Sequence, residues 1–363
     1  MTGGPETTVA GVASVACDAC GTPAPVGARF CEECGSPLPT DAAPAPDAAP
    51  VRAGEPGAVP APGACVDCGG EVGADGYCTQ CGTKAPLPRD HMVEQPQPWV
   101  AAVSDRGRRH HRNEDAVATA ADPAPDRWAA IVVCDGVSSS ESSDVASLAA
   151  ARAARDVLVR ERGAGLASGS ALTAIAGSRL VAAAAAAAAA VEEVTRAEHG
   201  DSPPSCTFVA AVLDGDRLSV GTVGDSRAYW LPDIGDPEVL TVDDSWAAQQ
   251  VAGGVPRAEA EAGPQAHAIT RWLGVDAEDQ VPTVTHHRLD AAGWLLLCSD
   301  GLWNYASEAT ATARIVAATA AADGDPLRTA EELVRWANEQ GGMDNITVAL
   351  ARIGARTHEG DPA

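Results

Sequence analysis

Two stretches of this chain run from an uninterrupted apolar strand into an acid and a glycine: Ile131-Val132-Val133-Cys134-Asp135-Gly136 and Leu295-Leu296-Leu297-Cys298-Ser299-Asp300-Gly301. An apolar run of this length closed by a turn reads as a strand buried on both faces, so each one needs a covering layer on either side. The acid at its end stands where a buried sheet opens to solvent, a common place for a catalytic or metal-binding group in a layered fold. One such acid is explained by turn chemistry. Two delivered in the same way point to a shared metal site.

Around these strands the text alternates. Apolar runs at 100–103, 128–134, 207–213, 218–223, 228–231, 283–289, 293–298 and 346–353 read as strands; 144–160, 171–198, 244–252, 307–321 and 326–340 read as helices. Neighbours such as 217–223 and 226–231 lie too close for a helical crossover, which predicts antiparallel pairing. Many short strands with helices grouped in pairs predict an α+β fold of stacked sheets covered by helices, and exclude a doubly wound parallel sheet. The main domain is expected over 99–354, with a polar tail over 355–363.

Eight of the eleven cysteines precede that domain as four C-x-x-C pairs. Cys17, Cys20, Cys31 and Cys34 form one set, and Cys65, Cys68, Cys78 and Cys81 the other. Each set offers four thiolates at a spacing that folds two knuckles around one tetrahedral ion, so two structural Zn²⁺ sites are expected. Gly21, Gly35, Gly69 and Gly82 follow the second cysteine of each pair, where a knuckle turn favours positive φ. The ribbons are placed at 15–37 and 64–84, with an Ala/Pro linker over 38–63 and a second, proline-bearing linker over 85–98. Such small modules are expected to draw their folding energy from the metal and to serve as a docking or dimerising appendage.

The formal charge of −25 argues against nucleic-acid or anionic-membrane binding, which needs clustered Lys and Arg. No apolar run is read as a membrane span; the alanine tract 182–190 belongs to a long helix. The start lacks the pattern of a signal peptide, so a cytoplasmic protein with reduced cysteines is expected. Cys134, Cys206 and Cys298 read as small core residues.

Further acids stand at strand ends or beside them, in Arg112-Asn113-Glu114-Asp115, Gly224-Asp225-Ser226-Arg227 and Met343-Asp344-Asn345. Oxygen ligands without clustered His or Cys suit Mg²⁺ or Mn²⁺. Carboxylates converging from several strands can hold two such ions and act on a phosphoryl group.

The order of these motifs, with Ser205-Cys206-Thr207, Val-Gly-Asp-Ser-Arg-Ala-Tyr, Ser-Asp-Gly-Leu-Trp-Asn and Asp-Asn-Ile-Thr-Val, resembles the metal-dependent serine/threonine protein phosphatases of the PPM, or protein phosphatase 2C, type in bacteria. The resemblance covers about Trp99 to Ile353 and implies a four-layer α-β-β-α sandwich with a binuclear Mn²⁺ or Mg²⁺ centre. It implies that Asp135 bridges both ions, that Asp300 and Asp344 complete one site, and that Glu114 and the Gly136 carbonyl complete the other. Asp115 would stand behind them. Asp225 matches an acid linked to a third ion, and 243–274 matches a flap beside the site. Phosphorylated proteins become the expected partners, in signalling.

Three departures from the family pattern matter. The phosphate-gripping arginine is replaced by His110, so the grip is expected from His110 with Arg109 beside it. After Asp135-Gly136 comes Val137-Ser138-Ser139 where bacterial members carry Met-Gly-Gly; Val137 cannot donate a proton. Asn304 stands where an acid often supports the third ion. Against hydrolysis stands an alternative: a weak or inactive phosphatase-like module that binds phosphoproteins.

Overall fold

The structure, a computed structural model, describes residues 14–16, 23–25, 52–53, 64–65, 68–162, 169–196, 199–263, 265–266, 268–320 and 323–354. The chain divides into two compact units, 1–49 and 50–363. Within the first, β1 (Ser14–Ala16) and β2 (Pro23–Pro25) pair antiparallel. The rest concerns the second unit.

Two six-stranded antiparallel sheets form its centre. The first runs, edge to edge, through β14 (Thr283–Arg288), β10 (Arg217–Val223), β9 (Phe208–Asp214), β7 (Trp128–Cys134), β6 (Ala116–Ala121) and β3 (Arg52–Ala53). The second runs through β12 (Glu238–Val239), β11 (Arg227–Pro232), β15 (Gly293–Cys298), β16 (Ile346–Ile353), β5 (Val100–Asp105) and β4 (His91–Gln97). A small ribbon pairs β8 (Ser205–Cys206) with β13 (Leu273–Gly274).

The two apolar runs are buried throughout because side chains alternate between two different cores. On β7, Ala130, Val132 and Cys134 face α1 (Ser143–Arg160) and α2 (Gly169–Val194), while Ala129, Ile131 and Val133 point between the sheets. On β15, Leu295 and Leu297 enter the same inter-sheet core. Trp294, Leu296 and Cys298 face the opposite layer, built from α5 (Asp300–Trp303), α6 (Ala309–Thr319) and α7 (Pro326–Gln340). Three apolar cores between four layers define the α-β-β-α sandwich. Two short helices, α3 (Trp246–Ala252) and α4 (Arg257–Glu261), lie in the segment between β12 and β13.

By length and composition α2 could cross a bilayer, a property its alanines concealed in the sequence. In this fold Leu180, Ala183, Ala184, Ala187 and Val191 are buried against the first sheet and α1.

Among the strands that fall where none was expected, three extend the two large sheets away from the short β12 edge. Arg52–Ala53, inside the expected 38–63 linker, pairs with β6. Ala116–Ala121 is a strand whose alanines carry little strand preference, held by pairing with β7. Most consequential, the expected linker 85–98 contains β4, which pairs with β5 and extends the second sheet before Trp99. Pro96 masked it; that proline sits where the register shifts between Glu94 and Gln97, a position an edge strand tolerates.

Glu94 of β4 also ties the two sheets together. Its Oε2 accepts from the Thr119 N–H (2.7 Å) and hydroxyl (2.8 Å) on β6. Burial pushes the Glu94 carboxyl up to about 7. Glu94→Ala strands both donors in the core, so urea denaturation at pH 8 should show a loss of about 1–3 kcal/mol. An unchanged midpoint would mean that β4 is not held through this side chain.

Candidate metal centre

Both Asp-Gly pairs are glycine for steric reasons. A Cβ on Gly136 would lie 2.6 Å from the Glu114 carbonyl oxygen, and one on Gly301 would collide with the Asn345 carbonyl. Each glycine therefore lets one acid-bearing turn pack against another. Asp135 ends β7, Asp300 opens α5 after β15, Asp225 lies in the β10–β11 turn and Asp344 precedes β16. Together with Gly136, Val137, Ser138, Thr207 and Ile269 they line one cleft of about 250 Å³.

This convergence is electrostatically costly. Burial, then Asp115, Asp300, Asp225 and Asp344, drive Asp135 well above the usual carboxylate range. Burial and the Asp225 charge do the same to Asp300. Asp225 is pushed up to about 7 by burial and by Asp243, with Arg227 opposing. Burial raises Asp344 as well. Asp115 is raised to about 6 by burial, although the hydroxyls of Ser299 (2.6 Å) and Thr347 (2.8 Å) both donate to its Oδ2. Its Oδ1 is buried without a partner. A cluster of unneutralised carboxylates with an orphaned buried oxygen fits a divalent cation.

Glu114 is held differently. Its Oε1 accepts from Arg112 Nη2 (2.7 Å) and Nε (3.0 Å) and from the Ser143 hydroxyl (2.5 Å). Its N–H donates to Asn345 Oδ1 (2.7 Å), and its carbonyl accepts from the Gly136 N–H (3.2 Å) and the Ser147 hydroxyl. Arg112 is thus engaged with the acid beside it. His110 lies between two carboxylates, Nε2 3.1 Å from Asp344 Oδ1 and Nδ1 3.7 Å from Glu114 Oε2. Arg109 is exposed, outside the cleft lining, with its N–H on the Gly342 carbonyl. Asn304 donates to Asp300 Oδ2 at 3.0 Å.

The segment over 243–274 is anchored at the cleft. Asp244 accepts from the Gly224 N–H and pairs with Arg271, and Ile269 reaches the cleft wall. Behind Asp225, the Trp303 indole N–H donates to its carbonyl (3.0 Å), and Arg227 stacks on that indole while pairing with Asp243 (2.6 Å). Asn345, Ser143, Ser147 and Trp303 were not among the sequence candidates. Asn345 and Trp303 stand inside quoted motifs, whereas Ser143 and Ser147 lie one turn apart on α1 with only their spacing to mark them.

A second cluster is built from cysteine. The thiols of Cys65, Cys68, Cys78 and Cys81 lie within 4.8 Å of one another, with contacts of 3.3–3.5 Å. That is close to the ~3.8 Å edge of a tetrahedral Zn–thiolate site. Gly69 and Gly82 have the expected positive φ. The hydroxyl and N–H of Thr83 hold Cys81 down to about 6, and the N–H groups of Cys81 and Gln80 lower Cys78, so both favour thiolate. Cys17, Cys20, Cys31 and Cys34 lie outside the described residues. Cys134, Cys206 and Cys298 are buried core residues.

Known proteins share these features. Residues 105–338 match the family model for protein phosphatase 2C, and residues 17–86 match that for a double zinc ribbon. The serine/threonine protein phosphatase PstP of Mycobacterium tuberculosis is 30% identical over 255 residues, 70% of this chain and 44% of PstP, so the match spans under half of that relative. The serine/threonine phosphatase Stp of Listeria innocua is 29% identical over 68% of this chain and 92% of its own. A crystal structure of the PstP catalytic domain in complex with two manganese ions superposes with a TM-score of 0.52 at 28% identity, covering 70% of this chain and 97% of that one. The chain belongs to the protein phosphatase 2C family.

Raised carboxylates make the metal-free protein pH-sensitive in a defined direction. The folded state holds protons that the unfolded state releases, so this cluster costs stability as pH rises from about 4 through about 7. Added Mn²⁺ competes with those protons. The gain in melting temperature on adding Mn²⁺ should therefore be small at pH 5 and several degrees larger at pH 8. An equal gain at both pH values would mean that the ion binds elsewhere.

Proposed function

We propose that this protein hydrolyses phosphoserine and phosphothreonine in other proteins at the carboxylate cleft. The observation that carries the reading is the convergence of Asp135, Asp225, Asp300 and Asp344, from four separate strand ends, on one small cleft.

Asp135 is assigned to both of two divalent ions, Asp300 and Asp344 to one of them, and Glu114 with the Gly136 carbonyl to the other. Asp115 stands behind Asp135, and Asp225 is assigned to a third ion. When bound, Mn²⁺ or Mg²⁺ supplies Lewis acidity to an attacking water and to the phosphoryl group. The residues supply the rest. Asn304 fixes the Asp300 carboxylate, and Arg112 with Ser143 fixes Glu114, leaving its Oε2 toward His110. His110 takes over the phosphate grip, since Arg112 is committed to Glu114. Val137 offers no proton, so the leaving oxygen takes one from water or from His110. The ribbons dock the phosphoprotein, with zinc in each set of four thiols.

With Mn²⁺, the wild-type protein should hydrolyse p-nitrophenyl phosphate and a phosphothreonine peptide, and Asp135→Asn should lower kcat by more than about 100-fold. A wild type without turnover, or an Asp135→Asn variant equal to it, leaves the phosphoprotein-binding module as the better reading. His110→Ala should raise KM about tenfold, the value of one charge-assisted hydrogen bond, with a smaller change in kcat. An unchanged KM excludes His110 from the grip.

A further inference from the structure

Between the two family-model matches, 17–86 and 105–338, lies a segment that neither covers. It connects the four-thiol knuckle to the second sheet with almost no slack. The knuckle's last backbone bond is Ala85 N–H to the Gly76 carbonyl (2.7 Å). The next fixed point is Leu87 N–H on Asp90 Oδ2 (2.9 Å), which closes a single 3₁₀ turn over Pro88–Asp90. Only Pro86, with its φ locked by the ring, separates the two.

From that turn two side chains reach opposite flanks of the metal centre. Arg89 Nη2 donates to the Asp144 carbonyl (2.7 Å) and to Ser147 Oγ (3.0 Å) on the first turns of α1. The Ser147 hydroxyl in turn donates to the Glu114 carbonyl, which also accepts from Gly136 N–H. On the other flank, the Asp90 carbonyl accepts from Arg106 N–H (2.8 Å), and the Arg106 guanidinium lies 3.5 Å from Asp90 Oδ2. The Arg106 carbonyl accepts from Asn345 Nδ2 (2.8 Å), and Asn345 Oδ1 accepts the Glu114 N–H. Both routes end on the backbone of one residue, Glu114, one at its carbonyl and one at its N–H.

Arg89 is an expensive group to place here. Burial pulls its guanidinium down to about 10, against the charges of Asp144 and Asp115, so it stays charged at neutral pH. Its bonds go to a carbonyl, a hydroxyl and, through Nη1, the Met92 thioether (3.7 Å), and its Nε is buried without a partner. A neutral side chain would anchor a linker at lower cost. The chain instead spends a half-buried cation on the hydrogen-bond network that reaches Glu114 and Gly136.

We propose that Arg89 and Asp90 are positioning residues for the divalent-ion centre, and that the Cys65–Cys68–Cys78–Cys81 knuckle, by holding their turn in place, sets that centre's affinity for its ions. This rests on the assignment of Glu114 and Gly136 as ligands. Opening the knuckle frees the turn and loosens Glu114. An event at the ribbon is thereby transmitted to the metal centre without contact between them.

The test measures Mn²⁺ affinity by isothermal titration calorimetry on the full-length chain, with unfolding followed separately. Arg89→Met keeps the bulk and removes both hydrogen bonds to α1; it should raise the Mn²⁺ Kd by about tenfold, the low end for residues that orient ligands. Arg89→Lys should recover part of that loss. Cys81→Ser, at an exposed thiol far in sequence from the acids, should raise the Mn²⁺ Kd in the same direction. A Kd within twofold of wild type in Arg89→Met and Cys81→Ser, even with lower melting temperatures, overturns the proposal and leaves the turn a structural anchor. A tighter Kd in Arg89→Met also overturns it, because the guanidinium would then act on the ions only as a repelling charge. If the wild type itself binds no Mn²⁺, the ligand assignment fails first.

Discussion

Mutual repulsion among buried carboxylates is the constraint around which the rest of this molecule is arranged. Asp115, Asp135, Asp225, Asp300 and Asp344 are all pushed above their ordinary range, by burial first and by neighbouring carboxylates as well. No fold collects such groups for stability. Their neighbours instead manage the charge. Asp115 draws on the hydroxyls of Ser299 and Thr347, Glu114 on Arg112 and Ser143, and Asp300 on Asn304. What remains without a partner is Asp115 Oδ1.

The sandwich supplies the placement. Antiparallel strands paired across the sheets bring β7, β15 and β16 to a common end, and each ends or begins in an acid-bearing turn. The turns can approach closely because Gly136 and Gly301 carry no side chain. Layers on both outer faces bury β7 and β15 completely, so these strands cannot slip by one residue without exchanging one core for the other. The register that fills three cores also fixes where Asp135 and Asp300 emerge.

Much of this was legible in the sequence. The apolar runs ending in Asp-Gly named two strands to the residue, and the motif order named the family and the four acids that line one cleft. What was hidden was hidden for physical reasons. Strand β4 was obscured by Pro96 and by Glu94, whose burial depends on Thr119 in another sheet. Strand β6 has alanine at four of its six positions, so its state is decided by pairing with β7. Arg89 and Asp90 looked like linker residues because their partners, Ser147 and Arg106, are brought to them only by tertiary packing. Arg109, expected near the phosphate, is exposed, while His110 lies between Asp344 and Glu114; neither lines the cleft.

Joining the knuckle to β4 through Pro86 makes the ribbon continuous with the second sheet. The four-thiol set and the second sheet are thus separated by only a few residues. Anomalous X-ray scattering at the manganese edge, from crystals grown with Mn²⁺, examines the carboxylate centre most directly. Two peaks should flank the Asp135 carboxylate, one toward Asp300 and Asp344 and the other toward Glu114 and the Gly136 carbonyl. A single peak, or none within coordination distance of Asp135, would contradict the two-ion assignment.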